Sequence, residues 1–236
     1  MHEPSPASLG QRERNKLDKL RRIKAAAKEL FISKGYDDTT TREIAIRADV
    51  GMGTVFTYAD NKRDLLFLIA NEDLEQTSRR AEAQIAPDAS LLSNLLNVFR
   101  DHYDYFAQQP ELSRLMLREM LFYESGQQAN RFKSIRERFY SSVCETVRLA
   151  REQRTIAPSD DERTVGWVFF CIYQVELRRW LSNDELSVKA GMASLERALR
   201  LLISGLSPTE AALSTSADRR TMSFRKRRPP RIDSPE

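Results

Sequence analysis

The stretch TTTREIAIRADVGMGTVFTY, residues 39–58, constrains this chain more than any other. Thr40 and Glu43 form a capping box, in which the hydroxyl accepts from a first-turn amide and the carboxylate accepts from the Thr40 amide. A helix therefore starts here and turns Ile44, Ala45 and Ala48 inward, the alanines letting a neighbouring helix approach closely. It stops at Asp49–Gly53, which no continuous helix would choose. Thr54–Tyr58 then resume as a very short helix. The turn between them needs one residue near left-handed geometry, and Asp49, more tolerant of it than most residues, occupies that place. Val50 plugs the core between the two helices.

The flanks follow the helical period. From Leu17 to Lys34, the residues Leu17, Leu20, Ile23, Ala27, Leu30 and Phe31 make one buried stripe, and Gly35 ends it. Asn61 with Asp64 makes a cap-like start for a further helix carrying Leu65, Leu66, Leu68 and Ile69. Three helices, the last two joined by a tight turn, match the helix-turn-helix plan, whose second helix enters the major groove. Charge agrees with a polyanion partner for this part of the chain. Residues 1–70 hold 13 Lys and Arg against 10 Asp and Glu, residues 71–217 hold 18 against 21, and residues 218–236 hold 7 against 3. On charge alone, solvated helix surfaces are the equal alternative.

Over Lys16–Ala70 the pattern T-T-x-R-E-I-A-x-x-A-x-V-x-x-G-T-x-x-x-Y-x-x-x-K-x-x-L resembles the DNA-binding domain of the TetR family of transcriptional repressors. The resemblance implies an all-α fold of about nine helices, with an N-terminal three-helix helix-turn-helix domain and a C-terminal effector-binding and dimerisation domain. It places Thr41 and Arg42 at the start of the first helix of the pair, near phosphate and guanine. Gly53 and Thr54 open the recognition helix, Val55 anchors it, Thr57 and Tyr58 face DNA, and Lys62 meets a phosphate. The chain departs from the family at Gly51 and Met52, which lack a common hydroxyl cap and cation, and at Phe56, which replaces a phosphate-binding Tyr. The implied DNA-contact set is thus Thr41, Arg42, Gly51, Met52, Gly53, Thr54, Thr57, Tyr58 and Lys62, with Met52 and Thr57 able to touch thymine methyls. Affinity leans on Thr54, Tyr58, Lys62, Arg42 and the basic segment Arg12–Arg22, with steep salt dependence.

The expected domains are a disordered arm at 1–15, the DNA-binding domain at 16–70, a helical effector-binding and dimerisation domain at 71–206, and a disordered basic tail at 207–236. Helical spacing recurs through Leu91–Ala107, Leu112–Tyr123, Phe132–Ala150, Val165–Leu181 and Leu186–Leu206, with Pro87, Pro110 and Pro158 at the joins. VGWVFFCIYQVEL is apolar nearly all round, so it is covered on more than one side. By the family resemblance a homodimer forms through Val165–Leu181 and Leu186–Leu206, which implies a near-palindromic double-stranded DNA operator. The resemblance also implies a small-molecule effector whose identity the sequence leaves open. Phe99, His102, Tyr103, Phe106, Phe122, Phe139, Trp167, Phe170 and Tyr173 are its candidate contacts, and their aromatic content suggests a lipophilic molecule. His102 and Glu176 are polar groups on apolar helices and so can orient a ligand, though an i,i+3 pair with Arg179 is the simpler account of Glu176.

Other classes fit poorly. The longest apolar run, Val165–Leu181, is broken by Gln174, Glu176, Arg178 and Arg179, and the N-terminus lacks a signal-peptide pattern, so a cytoplasmic, DNA-associated protein is expected. Cys144 and Cys171 are expected as buried thiols. With His2 and His102 the only histidines, and no phosphate loop or nucleophile elbow, neither metal, cofactor nor enzyme chemistry is supported. The function expected is a ligand-controlled transcriptional regulator, most simply a repressor. The alternative is a helical enzyme or scaffold that retains a helix-turn-helix. The tail RKRRPPR reads either as a flexible arm that adds non-specific DNA affinity or, as favoured, as solvated and inert; on the second reading, deleting residues 214–236 is expected to leave DNA affinity at low salt unchanged in a gel-shift titration.

Overall fold

The computed structural model describes residues 10–156 and 161–205, so the calls on 1–9, Pro158 and the tail 206–236 lie outside the described residues. Nine helices and no strand occur among them: α1 Gln11–Ser33, α2 Thr41–Arg47, α3 Met52–Phe56, α4 Lys62–Ala83, α5 Leu91–Ala107, α6 Pro110–Glu119, α7 Ala129–Glu152, α8 Glu162–Leu181 and α9 Val188–Ser204. The described residues up to Leu199 form one compact unit, and those from Arg200 lie in a second. Of that second group only 200–205 are described; there Leu201, Leu202 and Ile203 are exposed.

Caps place several boundaries. Thr40 accepts from the Glu43 amide at 3.2 Å and its own amide donates to the Glu43 carboxylate at 2.9 Å, the capping box read from the sequence. Asn61 Oδ1 accepts from the Asp64 amide at 3.0 Å and starts α4. Pro110 stands in the first turn of α6, where its missing N–H costs nothing, so that helix opens two residues before Leu112 and ends at Glu119, short of Tyr123.

Two domain boundaries differ from expectation. Helix α1 begins at Gln11, so residues 11–15 are helical rather than part of an irregular arm. Gln11 bonds Asn15 at 3.0 Å, Arg14 bonds Gln11 at 2.9 Å and Glu13 pairs with Lys16, which gives the polar first turns local support. The expected break between residues 70 and 71 falls inside α4. That helix is buried on every side from Asp64 to Asn71 and again at Leu74, so it serves the helix-turn-helix end and the body together.

Helices α4, α5, α7 and α8 make the closest mutual packings and enclose the core. Helix α8 presses on α7 through Gly166, where a Cβ would stand 2.7 Å from Cys144 Sγ. Both cysteines are half-buried rather than buried. Helix α8 buries Phe169, Phe170, Tyr173, Leu177 and Trp180 and exposes Trp167, Val168 and Val175. No helix among the described residues is long and apolar enough to cross a membrane.

The α6–α7 loop is tied to the start of α4. Gly126 has φ +125° and lies so close to the Asp64 carboxylate that any Cβ would collide with it. Gly126→Ala combines backbone strain with that collision, so it is expected to lower stability by about 1–3 kcal/mol. Urea denaturation should show this as a lower midpoint with an unchanged slope.

Candidate functional site

The turn between α2 and α3 is built by backbone geometry. Asp49 sits at φ 51°, the Val50 amide donates to Ala45 O at 3.0 Å and the Asp49 amide to Ile46 O at 3.1 Å. These crossed bonds are a Schellman closure, with Asp in the place glycine usually takes. Arg22 of α1 locks it, Nη1 donating to Ala48 O at 2.7 Å, Asp49 O at 2.9 Å and the Asp49 carboxylate at 3.3 Å. Val55 is fully buried and fixes the next helix to the core. That helix, α3, starts at Met52 and ends at Phe56, earlier than the expected Thr54–Tyr58, because the Gly51 carbonyl accepts from the Thr54 and Val55 amides.

The expected contact residues divide by their surroundings. Arg42, Gly51, Gly53 and Thr57 are exposed; Thr41, Met52, Thr54 and Tyr58 are half-buried. Thr57 Oγ1 donates to Gly53 O at 3.0 Å, and the Tyr58 hydroxyl donates to Lys16 O at 3.3 Å. Lys62 is half-buried; its ammonium donates to Tyr36 O at 2.5 Å and Asp37 O at 3.0 Å and lies 4.5 Å from the Tyr36 ring centroid. It therefore braces the α1–α2 loop. Arg22, expected within the basic segment Arg12–Arg22 to support DNA affinity, braces the turn. Arg42, Arg12 and Lys19 are exposed with no ion pair or hydrogen bond among the described residues, leaving them as open cations of this end.

Sequence reasoning missed the junction behind α3. Asp64 is fully buried and accepts from the Asp60 amide at 2.9 Å, the Gln127 amide at 2.9 Å and the Tyr123 hydroxyl. Gln127 Nε2 donates to Phe56 O at 2.9 Å and Asp60 Oδ1 at 2.6 Å, and Gln128 Nε2 donates to Tyr58 O at 3.0 Å. The α6–α7 loop thus holds the carbonyls at the end of α3. Three ion pairs across the same seam are Lys24–Glu72, Arg63–Glu119 and Arg118–Asp37. The signals available were the turn-forming Gly126 and the two glutamines after it, which have no periodicity to betray their partners.

Above the junction lies a cavity among α4–α8. His102, Phe106, Phe139, Phe170 and Tyr173, all anticipated, line it together with Phe67, Leu74, Ser78, Met116, Leu117, Met120, Phe132, Ile135, Arg136, Gln174 and Leu177. Four anticipated residues do not. Phe99 and Tyr103 are fully buried in packing, Phe99 stacked on Tyr173 at 4.5 Å and Tyr103 tilted on Trp180 at 4.8 Å. Trp167 and Phe122 are 48% and 89% exposed, Phe122 because its φ of 58° turns it out into a neighbouring cleft. That cleft shares Met120, Phe132, Arg136 and Gln174 with the cavity and adds Lys133 and Arg178. Burial, with Arg80 nearby, pushes His102 down to about 3, so its ring is neutral. Glu176 pairs with Arg179 at 3.6 Å as expected and also accepts from Ser194 at 2.9 Å.

Residues 23–69, which hold the turn and its neighbours, match the model of bacterial regulatory proteins of the tetR family. Those residues are a TetR-family domain. It is similar to the fatty acid metabolism regulator protein of Bacillus subtilis (26% identity over 197 residues, 82% of this chain and 98% of that one). It is also similar to the transcriptional repressor KstR of Mycobacterium tuberculosis (24% identity, 85% and 86%). Among solved structures it resembles the TetR-family repressor FadR of Thermus thermophilus, in complex with lauroyl-CoA, at TM-score 0.57 and 26% identity over 81% of this chain and 96% of that one. These relatives are transcriptional regulators rather than enzymes, and this chain, which carries a TetR-family domain, is a transcriptional regulator.

The two kinds of cation are separable by salt. Each phosphate neutralised contributes about 0.9 to the slope of log affinity against log salt. Arg42→Ala is expected to lower both operator affinity and that slope. Arg22→Ala should lower affinity with the slope retained, because it loosens the turn. Fluorescence anisotropy over a fourfold salt range separates the two.

Proposed function

We propose that this regulator is a cytoplasmic repressor that binds a near-palindromic operator as a homodimer and is released by a lipophilic effector of the acyl-CoA type. The observation that carries this is the continuity between cavity and head. Phe67 lines the cavity, its ring stacks on Tyr123 at 4.1 Å and 8°, and the Tyr123 hydroxyl reaches Asp64. Phe132, another wall residue, lies 4.6 Å from Phe67. A chain lodged in the cavity displaces Phe67 and Phe132, moves Tyr123, and loosens the grip of Gln127 and Gln128 on the end of α3. An effector acts only by binding one arrangement of this joint better than the other.

The effector class follows from the lining and from the relative that holds lauroyl-CoA. An apolar wall suits an acyl chain, and Lys133, Arg136 and Arg178 at the adjoining cleft suit an anionic head. Thr41, Arg42, Gly51, Met52, Gly53, Thr54, Thr57 and Tyr58 form the DNA-reading surface, with Lys62 holding the loop beside it. The dimer forms through α8, whose Trp167, Val168 and Val175 are exposed and apolar, and through α9.

The test is a footprint on the duplex upstream of its own gene, repeated with lauroyl-CoA. A protected near-palindrome whose affinity falls about 5- to 150-fold with the acyl-CoA is expected. A footprint that lauroyl-CoA leaves unchanged would sink the effector assignment, and no footprint at all would sink the repressor.

A further inference from the structure

The cavity wall is apolar except at a few side chains, and two of these are unpaired. Ser78 on α4 and His102 on α5 are 0% and 6% exposed, and both line the cavity. Ser78 Oγ and His102 Nε2 have no hydrogen-bond partner among the described residues. Buried polar atoms are paired in the great majority of cases, because leaving one unpaired forfeits its hydration with nothing in return. Two such atoms facing one cavity from adjacent, mutually packed helices point to a ligand group that pairs with both.

The proton on His102 can be placed by counting. Its Nδ1 lies 2.9 Å from the Tyr173 hydroxyl. If Nδ1–H donated to Tyr173, the phenol hydrogen and the Nε2 lone pair would both lack partners. If the phenol donates to Nδ1, only Nε2–H is left over, so this arrangement leaves fewer buried groups unsatisfied. Tyr173 keeps its proton, since burial raises its pKa well above the ordinary value. The imidazole stacks on Phe139 at 3.6 Å and 13° and meets Tyr173 edge-on at 80°, which fixes its plane. Nε2–H is therefore a preset donor, and the Ser78 hydroxyl, which lines the same cavity from α4, is one that can rotate to suit.

We propose that Ser78 and His102 form a polar anchor that takes one acceptor oxygen, a carbonyl or hydroxyl, carried on the apolar part of the effector. The anchor selects an oxygen-bearing chain over a bare hydrocarbon chain of the same size, and it rejects a cationic amine, which would meet a donor. It rests on the assignment of this cavity to the effector.

The test uses the full-length protein with undecane and the isomeric undecanones bearing the carbonyl at carbons 2 to 6, read by displacement of a bound fluorescent naphthalenesulfonate. At least one ketone is expected to bind tenfold or more tightly than undecane, and Ser78→Ala and His102→Leu are each expected to cut that advantage at least threefold. Because His2 and His102 are the only histidines, [15N]histidine labelling gives a readout that needs no variant. The Nε2 resonance should report the neutral Nε2–H form and shift with the favoured ketone but not with undecane. Ketones that bind within twofold of undecane, an advantage that survives in both variants, or an unmoved Nε2 resonance at saturation would each overturn the anchor while leaving the cavity assignment intact. If undecane, the ketones and lauroyl-CoA all fail to enter, the cavity assignment falls, and the anchor with it.

Discussion

The buried carboxylate of Asp64 is the constraint around which the rest of the molecule is arranged. A fully buried acidic side chain is tolerable only when its oxygens are occupied, and Asp64 meets that demand with the amides of Asp60 and Gln127 and the Tyr123 hydroxyl. Those donors come from both sides of a seam, one from the helix-turn-helix end and two from the α6–α7 loop. Satisfying one carboxylate therefore welds the two. Gly126 is required for the same reason, since only a residue without a side chain lets the loop backbone come this close.

The apolar body inherits its layout from this weld. Phe67 begins one turn beyond Asp64, so the same helix that carries the carboxylate also supplies the cavity wall. Tyr123 serves both, with its ring on Phe67 and its hydroxyl on Asp64. Cavity shape and head orientation are thus two readouts of one packing arrangement, which is the physical content of coupling in a regulator.

Local chemistry was legible in the sequence, and long-range chemistry was not. The capping box at Thr40, the left-handed Asp49, the buried Val55 and the helical stripes depend on residues a few positions apart, and the sequence displays them directly. Five of the nine aromatic cavity candidates line the cavity because helical period places them inward. Arg22 and Lys62 read as phosphate cations because a sequence shows charge but hides the backbone carbonyls, 25 to 27 positions away, that capture it. Asp64 read as an ordinary first-turn acid beside its cap. Its burial depends on Tyr123 and Gln127, which lie in a segment without period. Met116, Phe132 and Ile135 were passed over because apolar residues on helices look alike until the helices are packed.

Helix α3 spans five residues, far below the length at which an isolated helix is stable in water. Its posture is borrowed from Arg22 at one end and from Gln127 and Gln128, some 70 positions along the chain, at the other. Operator choice is consequently not portable with the recognition helix: grafting Met52–Phe56 onto another head would carry the side chains without the angle at which they meet DNA. On the proposed coupling, a change in the loop around Gly126 would alter what the protein reads and what it responds to in the same step, so the two traits would be inherited as one.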